Sequence, residues 1–175
     1  MRTILAVLAV VLGAPAASLN LEAEFTNIDG GTHRLSDWAG QPVLVVNTAS
    51  LCGFTHQYDA LQALHTRYAK AGLIVLAVPS DDFNQELDDE GAIKEFCEIN
   101  YDLTLPMTGM TNVKGPDAHP FYQSLEAEGF TPNWNFNKVL IGPDGALVAT
   151  YRSRISPTSR KITREVERLL SAPDS

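Results

Sequence analysis

Two uninterrupted runs of apolar residues, separated by a segment with helical spacing, form the clearest pattern in the chain. Residues 41–50 and 73–78 are rich in Val, Ile and Leu, and each run predicts a buried strand. The residues that recur at spacings of three and four between these runs are Tyr58, Leu61, Leu64, His65 and Tyr68. This periodicity predicts a helix, which Gly72 ends. Strand, helix and strand in this order predict a parallel pair with a right-handed crossover.

The flanking segments complete the predicted sheet. Alternating residues around an Asp-Gly-Gly turn predict a small hairpin over residues 25–35. Beyond the second strand, periodicity predicts helices over residues 90–100, 119–125 and 158–170, and residues 138–151 predict a second hairpin. This order is typical of an α/β, thioredoxin-like fold, with a mixed central sheet, helices on both faces and an N-terminal β-hairpin.

Composition supports one domain and argues against two classes of partner. The chain has 175 residues, of which 45% are hydrophobic and 19% charged, enough for a sizeable core. Since no linker-like or repetitive segment divides it, residues 18–175 are expected to form a single domain. A formal net charge of −8 opposes binding to nucleic acid or to an anionic membrane surface.

Residues 1–17 have the composition of a secretory signal peptide. Arg2 is followed by an almost wholly apolar segment, residues 3–12, which is too short to span a bilayer. Small residues suited to cleavage follow, near Ala16 or Ala17. We therefore expect an exported, periplasmic protein without a stable membrane anchor.

Cys52 follows the first long strand, at the point where the sequence predicts that a helix begins. A thiol at a helix N-terminus is close to unpaired backbone N–H groups, such as that of Gly53, which favour thiolate over thiol. Thr55 occupies the position where a thioredoxin-like reductase has its second cysteine, which argues against a dithiol reductase or a copper chaperone. What remains is a single nucleophilic sulfur that attacks peroxides and then needs another thiol. A structural disulfide with Cys97 is the alternative for an exported chain.

Three segments in a fixed order resemble the motifs of one known family. They are residues 46–55 (VNTASLCGFT) with the following Gln57-Tyr58 and Leu61, residues 78–83 (VPSDDF) with Gln85-Glu86, and residues 134–138 (WNFNK). Together they are similar to the peroxidatic cysteine motif and the two other hallmarks of the glutathione peroxidase family, in its cysteine-containing bacterial type. The resemblance covers essentially everything after residue 20.

The resemblance implies a thiol-dependent peroxidase and a set of site residues. Cys52 would be the peroxidatic sulfur, held among the indole N–H of Trp134, the amide of Asn135 and a glutamine side chain, with the Gly53 N–H as a backbone anion site. Neutral donors of this kind stabilise a thiolate without bringing in a competing charge. The family needs no metal or organic cofactor, only a hydroperoxide and a thiol reductant, either glutathione or a thioredoxin-type protein.

The sequence departs from the family pattern at the glutamine, where Asp82 aligns. An anion beside a thiolate would oppose it. Three interpretations stay open: Asp82 turns outward, it stays protonated and donates a hydrogen bond, or it is only a solvated loop residue.

Cys97 is the remaining candidate for resolving the sulfenic acid, since Ser80 stands where many relatives carry a cysteine. Family members with cysteine reductants often place a resolving thiol on this helix. The same residue also falls on the apolar face with Ile93 and Phe96, where a cysteine behaves as a small hydrophobe. If the two cysteines pair, the helix has to unravel in part.

The leading hypothesis is therefore an exported peroxidase, an antioxidant enzyme that reduces hydrogen peroxide or organic hydroperoxides. One rival is a redox sensor or relay that passes a disulfide to a partner protein. Another is a binding module with an inactive thioredoxin-like site. A monomer is expected, because residues 107–134 leave no room for the extra loop that tetrameric relatives use.

Overall fold

The computed structural model describes residues 18–171, so the predicted signal peptide at residues 1–17 lies outside the described residues. The strands are β1 (Phe25–Thr26), β2 (Thr32–His33), β3 (Val43–Thr48), β4 (Ile74–Pro79), β5 (Lys138–Ile141) and β6 (Leu147–Tyr151). The α-helices are α1 (Gln57–Tyr68), α2 (Glu90–Tyr101), α3 (Pro120–Ala127) and α4 (Arg160–Ser171). Short 3-10 helices cover Leu35–Trp38 and Ala69–Ala71.

The main sheet has four strands in the order β4-β3-β5-β6. β3 runs parallel to β4, as the crossover pattern predicts, and antiparallel to β5, which pairs with β6 as a hairpin. β1 and β2 form a separate antiparallel hairpin. Gly72, at a φ of 107°, ends the helical segment before β4, because the left-handed conformation costs glycine little.

Both faces of the sheet are covered by helices, because successive side chains of β3 point to opposite sides. Leu44 and Val46 belong to a core cluster that also takes in buried residues of α1, α2 and α4. Val43 and Val45 belong to a second cluster with Phe121 and other residues of α3. The predicted mixed sheet, helices on both faces and N-terminal hairpin are all confirmed.

Candidate active site

The turn that carries Cys52 lies between β3 and α1. Thr55 N donates to the Cys52 carbonyl at 3.0 Å, Gln57 N donates to the Phe54 carbonyl at 2.8 Å, and Tyr58 N donates to Thr55 O at 2.9 Å. These successive turns, each closed by a hydrogen bond between residues three positions apart, occupy the segment before regular helical bonding begins. The prediction that the helix begins at Cys52 is therefore wrong, because α1 begins five residues later, at Gln57.

The sulfur of Cys52 is buried and receives a backbone hydrogen bond. The residue is 4% exposed, and Phe54 N donates to its Sγ at 3.5 Å. The backbone N–H that contacts the sulfur therefore belongs to Phe54 and not, as predicted, to Gly53. The turn directs the Phe54 N–H toward the Cys52 side chain. A backbone N–H is a neutral donor, so this contact brings no second charge to the sulfur.

Asn135 and Gln85 bring two amide groups next to the Cys52 turn. Asn135 is fully buried, and its Nδ2 donates to Gln85 Oε1 at 3.1 Å. The Gln85 carbonyl accepts from Leu51 N at 2.9 Å, which joins this loop to the residue before Cys52. Gln85 was not singled out as a site residue from the sequence, although the Gln-Glu pair of its motif was the available signal.

Trp134 lies at the surface and is fixed through its backbone. Its side chain is 40% exposed and packs on Phe83 with ring centroids 5.5 Å apart. Its carbonyl accepts from Asn47 Nδ2 at 3.0 Å and from Asn137 Nδ2 at 2.9 Å. Among residues 18–171, neither the Trp134 indole nor the Asn135 amide donates to the sulfur of Cys52, so their catalytic roles stay predictions.

Asp82 is engaged away from the amide pair. Its Oδ2 accepts from Val113 N at 2.5 Å and from Lys114 N at 3.1 Å. Burial raises the pKa of Tyr122, and the charge of Asp82 adds to this effect. Of the three interpretations of Asp82, this geometry supports the outward orientation, and Gln85 is the residue that supplies an amide to Asn135.

We expect Gln85→Ala to slow peroxide reduction about tenfold, the effect of losing one orienting hydrogen bond of about 1.4 kcal/mol. Asp82→Asn removes a charge from the same loop without touching the amide pair, so its rate is expected to stay within about twofold of the parent. First-turnover rates with hydrogen peroxide, measured by stopped flow for both variants, compare the two positions. A larger loss in Asp82→Asn would show that the amide pair is the wrong assignment.

Lys138 forms a hydrogen bond with the first residue of α1. This residue is fully buried in β5, and its Nζ donates to Gln57 Oε1 at 2.6 Å, to Ile155 O at 2.6 Å and to Ser153 O at 3.2 Å. Burial lowers the pKa of Lys138 from its usual 10.5 to about 7. Because Gln57 is the first residue of α1, the buried amine fixes the helix that follows the Cys52 turn.

The backbone around Asn135 is held by the same network. Ser153 Oγ donates to the Asn135 carbonyl at 2.6 Å, and Asn137 Nδ2 donates to Ser153 Oγ at 2.9 Å. Phe136, with a positive φ of 58°, sits between the two asparagines, and its N–H donates to Asn47 O at 2.6 Å. This strained bend keeps Asn135 buried beside Gln85 while Trp134 stays exposed.

Cys97 is the second thiol and lies on the buried face of α2. It is 1% exposed, and both cysteines are free, so the alternative of a structural disulfide is not observed. Burial raises the pKa of Cys97 to about 12. Cys52, Cys97 and Tyr58 belong to the same core cluster.

The described residues hold neither a candidate metal centre nor a helix that could span a membrane. Residues 18–171 contain no group of three or more His, Cys, Asp or Glu side chains that could hold a metal ion. Within the same range, no helix is both long enough and apolar enough to cross a bilayer.

The three motifs meet around the Cys52 turn, and comparison with known proteins decides the family. The family model described as glutathione peroxidase matches residues 21–126. A glutathione peroxidase of Lactococcus lactis is 40% identical over 149 residues, covering 82% of this chain and 94% of the relative. This chain belongs to the glutathione peroxidase family. It is therefore an oxidoreductase of the peroxidase type, as the sequence predicts.

Other relatives and a solved structure agree with this assignment. The hydroperoxy fatty acid reductase of Synechocystis is 39% identical over 157 residues, with 82% of this chain and 90% of the relative covered. A glutathione peroxidase-like peroxiredoxin of Chlamydomonas reinhardtii is 37% identical over 153 residues, with 84% and 93% covered. The crystal structure of Trgpx in its apo form has a TM-score of 0.71 and 32% identity, covering 90% of this chain and 98% of that one.

Proposed function

We propose that this glutathione peroxidase family member reduces hydroperoxides through Cys52 and restores the sulfur through Cys97 and a thioredoxin-type protein. The Cys52 thiolate attacks the hydroperoxide, the O–O bond breaks, an alcohol or water leaves, and the sulfur becomes a sulfenic acid. The Cys97 sulfur then attacks Cys52, water is released, and a disulfide forms between the two residues. A dithiol reductant opens this disulfide by exchange.

The observation that carries this proposal is that two free thiols lie in one core cluster. No cysteine stands three residues after Cys52, so the partner for its oxidised sulfur within this chain is Cys97. The relative from Chlamydomonas reinhardtii that is named a peroxiredoxin supports such a cycle.

We propose that α2 unravels in part as the disulfide forms, since bonded cysteines have Cα atoms within about 7 Å of each other. The fully buried side chains of α2 are Ile93 and Cys97, whereas α1 buries five side chains of its 12. Phe96 and Tyr101 of α2 pack, partly buried, against the same core cluster. Because α2 buries fewer side chains than α1, it is the helix that loses less free energy when it unravels.

Asn135, Gln85 and Trp134 are proposed to orient the hydroperoxide above Cys52. The amide pair reaches the Cys52 turn through Leu51, and Trp134 is exposed beside it. Catalytic hydrogen bonds commonly shorten only when substrate is bound, which fits an indole that does not yet contact the sulfur.

The surroundings of the site favour organic hydroperoxides. Leu51 precedes Cys52 and is 61% exposed, and Trp134 precedes Asn135, is 40% exposed and packs on Phe83. Exposed apolar side chains of this kind gain free energy by covering an alkyl chain. The relative named a hydroperoxy fatty acid reductase supports this preference.

Export and a monomeric state complete the proposal. Export rests on the composition of residues 1–17, and the mass of the chain recovered from the periplasm tests it. The monomer rests on the short segment between Met107 and Trp134, and sedimentation of the purified chain tests it.

The test of the proposed cycle is peroxide turnover with two reductants. We expect a thioredoxin with its reductase to support turnover at least about tenfold faster than millimolar glutathione, because only a dithiol reductant opens the disulfide by a second intramolecular exchange. Cys97→Ser should lose the thioredoxin-dependent turnover. If that variant keeps it, the reductant acts on Cys52 directly. If peroxide is not consumed and Cys52 accumulates in mixed disulfides with one protein, the relay interpretation is correct.

A further inference from the structure

A set of buried side chains joins the first residue of α1 to the segment that carries Trp134 and Asn135. We call it the Ser153 network, and its members are Gln57, Asn137, Lys138 and Ser153. None of the four is more than 6% exposed. Gln57 begins α1, Lys138 begins β5, and Ser153 lies just after β6. Three segments that are distant in sequence therefore meet at the start of the helix that follows the Cys52 turn.

The carbonyl of Ser153 bonds to one side of this network. It accepts from Gln57 Nε2 at 2.6 Å and from Lys138 Nζ at 3.2 Å. Lys138 Nζ also donates to Gln57 Oε1 at 2.6 Å, so both polar atoms of the Gln57 amide are bonded. Because all of these groups are buried, the loss of any partner would be costly. The position of Ser153 relative to the start of α1 is therefore fixed.

The hydroxyl of Ser153 bonds to the other side. Its Oγ donates to the Asn135 carbonyl at 2.6 Å and accepts from Asn137 Nδ2 at 2.9 Å. The same Asn137 amide donates to the Trp134 carbonyl at 2.9 Å. The carbonyls of both residues that we propose to orient the hydroperoxide are thus joined to Ser153, one directly and the other through Asn137.

The network holds Asn135 by its backbone and leaves part of its side chain without a partner. The Asn135 Nδ2 donates to Gln85, but its buried Oδ1 accepts no hydrogen bond from residues 18–171. A buried amide oxygen without a partner is uncommon in a folded chain, so it indicates a polar group that binds there during the reaction. Placement of this side chain matters, because a displacement of about 1 Å can slow an enzyme reaction about a hundredfold.

We infer that Ser153 is a positioning residue of the peroxidase, which places Asn135 and Trp134 relative to the Cys52 turn through the hydrogen bonds of its hydroxyl and carbonyl. This inference rests on the proposed role of Asn135 and Trp134 in orienting the hydroperoxide. Ser153 acts through these residues and does not itself contact the substrate. It lies outside the three sequence motifs, in the segment after β6.

The test is a double-mutant cycle in the full chain, with Ser153→Ala, Asn135→Ala and the double variant. Alanine removes the hydroxyl of Ser153 but keeps the carbonyl that binds Gln57 and Lys138. We expect Ser153→Ala to slow first-turnover reduction of cumene hydroperoxide about tenfold, and Asn135→Ala to slow it at least as much. Because Ser153 acts mainly through Asn135, the double variant should stay within about twofold of Asn135→Ala.

Alkylation of Cys52 separates positioning from a loss of packing. Iodoacetamide reacts with the same sulfur but needs no orientation by Asn135, so the rate of alkylation in Ser153→Ala should stay within about twofold of the parent. Mass spectrometry identifies the alkylated cysteine. Loosened packing would instead speed alkylation, because the Cys52 residue is only 4% exposed. Ser153→Thr keeps a hydroxyl and should recover most of the peroxide rate.

Ser124→Ala is the matched control, on α3 at the opposite face of the sheet. The Ser124 hydroxyl also makes two hydrogen bonds: it donates to the Phe121 carbonyl at 2.6 Å and accepts from Asn20 N at 2.8 Å. This variant should reduce the hydroperoxide and undergo alkylation at the rates of the parent.

The outcomes distinguish this inference from the proposed function. If Ser153→Ala reduces the hydroperoxide at the parent rate, if its Cys52 is alkylated faster, or if the two single effects multiply in the double variant, the role of Ser153 is overturned and that of Asn135 is not. If Asn135→Ala reduces the hydroperoxide at the parent rate, the proposed role of Asn135 is overturned, and this inference with it.

Discussion

Cys52→Ser is expected to lose peroxide reduction by at least about a thousandfold, because the hydroxyl of serine has no anionic form near neutral pH with which to attack the O–O bond. The replacement keeps the size of the side chain and its contact with Phe54 N, so the fold should be preserved. Stopped-flow consumption of hydrogen peroxide by the reduced chain measures the loss.

The control for this prediction is Cys97→Ser, which removes a thiol of equal size from the same core cluster. It should consume one equivalent of peroxide per chain in a rapid burst and then stop with a thioredoxin-type reductant. Full activity in Cys52→Ser, or the absence of the burst in Cys97→Ser, would contradict the assignment of the two sulfurs.

The second large effect concerns the free energy of unfolding, which depends on pH through the buried amine of Lys138. The pKa of its amine is about 7 in the folded chain and 10.5 when free, so between these values the unfolded chain holds a proton that the folded chain lacks. The free energy of unfolding therefore rises with pH in this window. Between pH 7 and pH 9 the contribution of Lys138 should amount to about 2 kcal/mol.

The measurement is denaturant unfolding of the parent and of Lys138→Met at several pH values. The free energy of unfolding of the parent, relative to that of Lys138→Met, should increase as pH rises from 7 to 9. Buried tyrosines and Cys97 have raised pKa values and act in the opposite direction, but they are present in both chains and cancel in the difference. In Lys161→Met, which removes an exposed ammonium, the free energy of unfolding should change with pH as it does in the parent.

The sheet and its helices could be predicted from the sequence because their signals are redundant. The continuous apolar runs of β3 and β4 and the left-handed Gly72 all indicate the same crossover. The beginning of α1 could not be predicted, because the hydrogen bonds of the Cys52 turn join residues three positions apart and leave no mark on hydrophobic spacing. The backbone donor was therefore assigned to Gly53 and not to Phe54.

The reactive sulfur of the candidate site could be predicted from the sequence, whereas the side chains that surround it were predicted less well. Alignment of the motif by residue order assigned the glutamine position to Asp82, because order along a loop does not reveal which side chain turns inward. Backbone donors of Val113 and Lys114 hold that carboxylate, which leaves Gln85 to meet Asn135. Lys138 was recognised as the last residue of the WNFNK motif and the first of a hairpin strand, but its burial was not predicted, because its carbonyl acceptors come from segments distant in sequence.

The thiol of Cys97 is one of the two fully buried side chains that dock α2. In the proposed cycle, oxidation of Cys97 removes part of the attachment of the helix, so the surface of the oxidised chain differs from that of the reduced chain. Any protein that recognises the displaced segment must bind the oxidised chain more tightly, by thermodynamic linkage. The same proposal predicts that reduction restores the helix and weakens that affinity, so that the electron donor dissociates after it has reduced the disulfide.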